Sequence, residues 1–69
     1  MRTARFRIYE IEHHGDESHA VSELQRVGCT DVKVLSRDHE GEESIVIECK
    51  VPDRFRHASE LGTEADICT

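Results

Sequence analysis

The chain has 69 residues, which is one domain with a thin core, since a chain this short buries only roughly 60% of the surface its unfolded form exposes. Fifteen acidic residues against nine basic ones give a net charge of −6, the wrong sign for the positive field that recruits nucleic-acid phosphates. No apolar run is long enough to span a membrane and the start lacks the apolar stretch of a signal peptide, so the expectation is a soluble cytoplasmic protein.

From Ala4 to Glu12 the pattern predicts a strand, with Phe6 and Ile8 on one face and Arg5, Arg7 and Tyr9 on the other. Arg2, Arg5 and Arg7 make this stretch locally basic, but no stacking aromatics are interleaved with them. Ile11 is out of phase, so either the strand has a bulge or Ile11 belongs to the next turn. Glu12 to Ser18 is polar and contains Gly15, where the chain is expected to reverse.

Ala20, Val21, Leu24 and Val27 recur at three- and four-residue steps, the stripe of an amphipathic helix. Asp16 or Ser18 can cap its start, and Gly28 supplies the left-handed residue that ends it. Thr30 to Arg37 reads as a second strand, with Val32 and Val34 inward and Lys33 and Leu35 outward. A turn from Asp38 to Glu43 then leads to a third strand, Ser44 to Val51, and the short connection predicts an antiparallel hairpin. Ile45, Ile47, Cys49 and Val51 share one face of it. Pro52 stops the ladder, Asp53 can cap a short second helix carrying Phe55, Ala58 and Leu61, and Gly62 ends it. Thr63 to Thr69 closes the chain as an edge strand with Ala65 and Ile67 in alternation.

The order strand, helix, strand, strand, helix, strand predicts an α+β, ferredoxin-like βαββαβ sandwich in a single domain over 1–69. Its four-stranded antiparallel sheet has both helices on one face and the first and third strands central. The expected core is Phe6, Ile8, Val21, Leu24, Val27, Val32, Val34, Ile45, Ile47, Val51, Phe55, Leu61 and Ile67. The opposite face carries Arg5, Arg7, Tyr9, Lys33, Leu35, Val46, Glu48 and Lys50.

This layout resembles the heavy-metal-associated domain of copper chaperones and metal-pumping ATPases. The likeness is carried by MRTARFRIYEIEHHGD at the start, by Val27-Gly28-Cys29-Thr30-Asp31-Val32-Lys33-Val34, and by Phe55, Ala58, Leu61 and Gly62. In that family the loop after the first strand carries Met-x-Cys-x-x-Cys. The resemblance places the methionine on Ile11 and the two cysteines on His13 and Asp16, so both thiolates of the family's copper(I) site are missing here.

His13, His14, Asp16 and His19 lie within seven residues. Imidazole and carboxylate ligands favour zinc, nickel or copper(II) over copper(I). Asp16 and His19 are one helical turn apart, and His13 or His14 can approach from the loop, so a three- or four-ligand site is geometrically possible. The plainer interpretation is that a solvated turn before a capped helix uses the same residue types. His39 falls in the acidic hairpin tip and His57 on the second helix, both expected at the surface.

Cys29, Cys49 and Cys68 are an odd number with no CxxC, which is neither a disulfide framework nor a zinc-thiolate spacing. Cys49 points inward by parity, whereas Cys29 and Cys68 are expected to be partly exposed. Ser18 and His19 are chain neighbours that face different ways, and no glycine-rich phosphate loop is present, so no enzyme is expected. The first functional expectation is therefore a small metal-ion carrier or sensor module binding through His13, His14, Asp16 and His19. The second is a protein-interaction module, a homodimer or a partner complex, using Tyr9, Leu35 and Val46 on the open sheet face. A third is a small-molecule sensor of the ACT type, with which Gly15 near the helix start is compatible.

Overall fold

A computed structural model describes residues 1–38 and 43–68, less the side chains of His14 and Asp38. The turn expected around His39 lies outside these residues. The elements are β1 (Arg2–Ile8), α1 (His14–Arg26), β2 (Thr30–Asp38), β3 (Ser44–Val51), a 3-10 turn (Ala58–Glu60) and β4 (Ala65–Ile67). The sheet order is β2-β3-β1-β4 with every neighbouring pair antiparallel. The α+β class and the central position of the first and third strands agree with expectation. The βαββαβ description does not, because among the described residues there is one α-helix and not two.

β1 ends earlier than the alternation suggests. Glu10 takes a left-handed φ of 60°, which breaks the extended ladder, and Ile11 then turns inward. The Ile11 N–H donates to the Glu43 carbonyl at 3.0 Å, and its side chain joins the core. Ile11 therefore belongs to the connection and not to a bulged strand. The reversal falls at Glu10, while Gly15 is already helical.

The cap of α1 is also displaced. His13, extended at φ −134° and ψ 161°, is the N-cap, not Asp16 or Ser18. Asp16 sits in the first turn, and its Oδ2 accepts the backbone N–H groups of Glu12 and His13 at 3.0 Å each. A carboxylate there satisfies donors that the helix start leaves unpaired and complements the dipole. At the other end Gly28 has φ 98°, and the Cys29 N–H reaches back to the Leu24 carbonyl at 3.0 Å. Ala20 and Leu24 are buried beneath the helix, with Val21 and Val27 packed at its margins.

β3 is the buried spine of the sheet, with Ile45, Ile47, Cys49 and Val51 all turned into the core. Buried Ser44 accepts a hydrogen bond from Arg7 Nη1 at 3.1 Å, so its hydroxyl is not orphaned. β2 is an edge strand whose register slips between Thr30 and Lys33 and again between Val34 and Ser36. Such irregularities twist an exposed edge and blunt its capacity to recruit a further strand.

The expected second helix is replaced by a turn in which the Phe55 N–H meets the Pro52 carbonyl at 3.0 Å, followed by the 3-10 turn. Asp53 caps nothing helical. Glu60 Oε2 instead accepts from the N–H groups of Arg56 at 2.8 Å and His57 at 2.9 Å, which starts the turn at His57. α1 grips this segment from outside its sequence: Arg26 Nη2 donates to the Glu60 carbonyl at 2.8 Å, and Glu23 accepts the Gly62 N–H. Phe55 and Leu61 still reach the core, and Phe55 meets Phe6 edge-on with ring centroids 5.7 Å apart.

Two burial expectations are corrected. Ile67 shares a cross-strand position with Phe6 yet is 38% exposed, because no second helix covers the β4 edge. Cys29 is buried and not partly exposed, since the left-handed Gly28 turns the chain straight under α1.

Candidate functional site

His13 ends the connection between β1 and α1, and His14, Asp16 and His19 lie in the first two turns of α1. His13 and His19 are exposed and Asp16 is half-buried. The backbone donors of Glu12 and His13 hold the Asp16 carboxyl below the usual carboxylate range, helped by the nearby His13 and His19 charges. The Asp16 carboxylate thus turns back toward the helix start. His19 reaches the other way, with Nε2 3.2 Å from the Gly62 carbonyl. To bond a carbonyl, Nε2 must carry the hydrogen, which leaves only Nδ1 able to hold an ion. Among the described residues no three His, Cys, Asp or Glu side chains converge as a metal site. Asp16 and His19 are near one another but are directed at different partners.

A second histidine explains much of the first. His57 and Glu60 repeat the arrangement of His13 and Asp16: an extended histidine before a helical turn, and an acid three residues on that takes up its N–H. This is half of the capping-box logic, with His where Ser or Thr is usual.

Asp16, Glu23 and Glu60 all titrate below their ordinary values, Asp16 and Glu60 through backbone N–H donors and Glu23 chiefly through Arg26. A carboxyl whose folded pKa is depressed adds stability above its unfolded value and loses it as pH falls through the folded one. The melting temperature should therefore hold from neutrality down to the ordinary values of 4.5 and 3.8, then drop on further acidification. Thermal melts of wild type and an Asp16→Asn, Glu60→Gln double variant measure this. The variant should be less stable at neutral pH and show the shallower acid limb.

The other candidate region is the sheet face away from α1. Its cross-strand rows run Ser36, Val46, Arg7, Asp66 and Lys33, Glu48, Arg5. Val46 is half-buried between polar Ser36 and Arg7. Tyr9 is half-buried at the strand end and donates its hydroxyl to Asp66 Oδ2 at 2.9 Å. Leu35 is 45% exposed because the slip between Val34 and Ser36 pushes it out of the ladder. The three residues occupy one side of the sheet region without forming a continuous apolar patch.

What distinguishes the face is its charge. Arg5, Arg7, Lys33 and Lys50 lie on it, four of nine bases, but Glu48, Asp66 and the adjoining Asp31 are only three of fifteen acids. Arg5 pairs with Glu48 at 3.4 Å and Lys50 with Asp31 at 3.7 Å. The excess acid sits elsewhere, including Glu10, Glu12, Asp16 and Glu17 near the start of α1.

No protein-family model, curated protein or solved structure is detectably similar to the chain. The likeness to the heavy-metal-associated domain thus has no support beyond residue pattern. No helix is long and apolar enough to cross a membrane among the described residues.

Proposed function

We propose that the chain is a non-enzymatic cytoplasmic interaction module that pairs with a second copy of itself through the sheet face opposite α1. The observation that carries this is the charge balance of that uncovered face on a chain of net charge −6. Two such chains repel through every strongly acidic surface, and a face with alternating signs is where they can meet without repulsion. Leu35 and Val46 supply its apolar component, and a domain this small gains stability from association. Sedimentation should give a species of twice the 7.9 kDa chain mass. Val46→Glu should return it to monomer, and added salt should weaken the wild-type pair. A wild type that sediments as monomer at every concentration overturns the proposal.

The second reading is a divalent site for zinc, nickel or copper(II) at His13, His14, Asp16 and His19. It is favoured by one observation, that Asp16 and His19 stand one helical turn apart on α1 with His13 at its N-cap. Calorimetric titration of untagged protein with zinc should then give heat that vanishes when His13, His14 and Asp16 are replaced by Ala. Identical titrations of the two proteins eliminate it.

A further inference from the structure

The segment from Asp53 to Gly62 receives two conflicting instructions. Its own residues encode a helix, with Asp53 as cap, Phe55, Ala58 and Leu61 at helical steps, and Gly62 at the end. Its surroundings hold it instead with a 3-10 turn over Ala58–Glu60. Three side chains of α1, His19, Glu23 and Arg26, stand at i, i+4 and i+7 on one face of that helix. All three reach backbone atoms of the segment. His19 Nε2 lies 3.2 Å from the Gly62 carbonyl, Glu23 accepts the Gly62 N–H, and Arg26 Nη2 donates to the Glu60 carbonyl at 2.8 Å. Arg26 also pairs with Glu23 at 3.0 Å, so each holds the other in place. Gly62 fits there because a Cβ would collide with the Glu23 carboxylate. From β1, Arg2 Nη2 donates to the Phe55 carbonyl at 3.1 Å, the acceptor a helix would offer to the Ser59 N–H. Within the segment, Glu60 takes the Arg56 and His57 N–H groups that a helix capped by Asp53 would direct to Asp53.

We propose that residues 53–62 are a two-state element, held as a turn by the α1 latch of His19, Glu23 and Arg26, that folds as a second α-helix over Arg54–Leu61 when the latch is released. Phe55 and Leu61 serve the core in either state, so the choice falls to the polar contacts at the rim. A helix of this length is marginal in isolation, which leaves the two states close enough for a few contacts to select one. The helical state also covers the β4 edge and hides Ile67, which is 38% exposed in the turn state. The latch thereby controls whether that apolar side chain is presented.

The test compares the wild type with a Glu23→Ala, Arg26→Ala double variant, which removes two of the three latch points. Its circular dichroism at 222 nm should strengthen by roughly half, as about eight residues join the 13 of α1. Cα chemical shifts should move to helical values across 54–61. Ala58→Pro separates this gain from any change within α1. Proline suits the first position of the 3-10 turn, after an extended His57, but breaks a helix that runs through residue 58. Added to the double variant it should abolish the gain, and alone it should leave the wild-type spectrum unchanged. Shifts at 54–61 that stay at their wild-type values overturn the proposal, as does a gain that survives Ala58→Pro. Should the double variant lose its cooperative melt, Arg26→Gln decides by the same shifts. Movement toward helical values then supports the two-state element, and no movement overturns it.

Discussion

Replacing Phe55 with Ala is expected to cost about 3–5 kcal/mol and to leave the chain largely unfolded at 25 °C. Phe55 is 1% exposed and stands edge-on to Phe6, and these are the chain's two phenylalanines, with no tryptophan to share the load. The segment around it forms no α-helix, so this side of the core is sealed by Phe55 and Leu61 and not by an amphipathic stripe. A cavity there cannot be closed by a helix shifting inward. In a domain whose whole stability is of order 5 kcal/mol, that loss is nearly all of it. Urea unfolding followed by circular dichroism measures the effect, with Phe55→Leu as the milder control. An Ala variant that melts like wild type would show that the 52–62 segment is not part of the cooperative core.

That segment also marks where the sequence stopped being informative. β3 and α1 were legible because their burial follows strict periods: alternate residues from Ile45 to Val51, and Ala20 with Leu24 four apart. Phe55, Ala58, Leu61 and Gly62 have helical spacing too, yet a turn with two anchors satisfies the same spacing. The choice was made by contacts no local pattern reveals, namely Arg26 on the Glu60 carbonyl and Glu23 on the Gly62 N–H. An isolated helix this short is marginal, so those contacts decide. The exposure of Ile67 follows from the same change, since no helix covers its cross-strand place opposite Phe6.

The histidines illustrate a different limit. A cluster of His and Asp within seven residues has the composition of a metal loop, but composition does not say where side chains are directed. Of the four places where an acid stands three residues after a histidine, two, His13–Asp16 and His57–Glu60, lie at the start of a helical turn. Both are helix-start devices in the structure, and the second sits in no candidate metal loop. On the open face, parity placed Val46 and Glu48 correctly because β3 is regular, and Lys33 of β2 pairs with Glu48 there. It could not foresee the slip beside Leu35, which depends on how an edge strand twists.

The two glycines near the ends of α1 are expected to respond oppositely to alanine. Gly28 holds φ 98°, and a Cβ there would come within 2.7 Å of Arg54 Nη2 and 3.2 Å of Pro52 Cγ. The Arg54 guanidinium can swing aside, but the proline ring cannot and the left-handed backbone stays strained, so Gly28→Ala should cost about 1–3 kcal/mol. Because Cys29 follows directly and its N–H closes onto Leu24, the variant should also loosen the start of β2, read as faster amide exchange at Cys29 and Thr30. Gly15 lies in the first turn of α1 with open space where its Cβ would be. Gly15→Ala should therefore stabilise by about 0.4–1 kcal/mol, chiefly by restricting the unfolded chain. Thermal melts of the two variants decide between this arrangement and a chain that reverses at Gly15. In the reversed case Gly15→Ala would destabilise instead, while Gly28→Ala would remain destabilising.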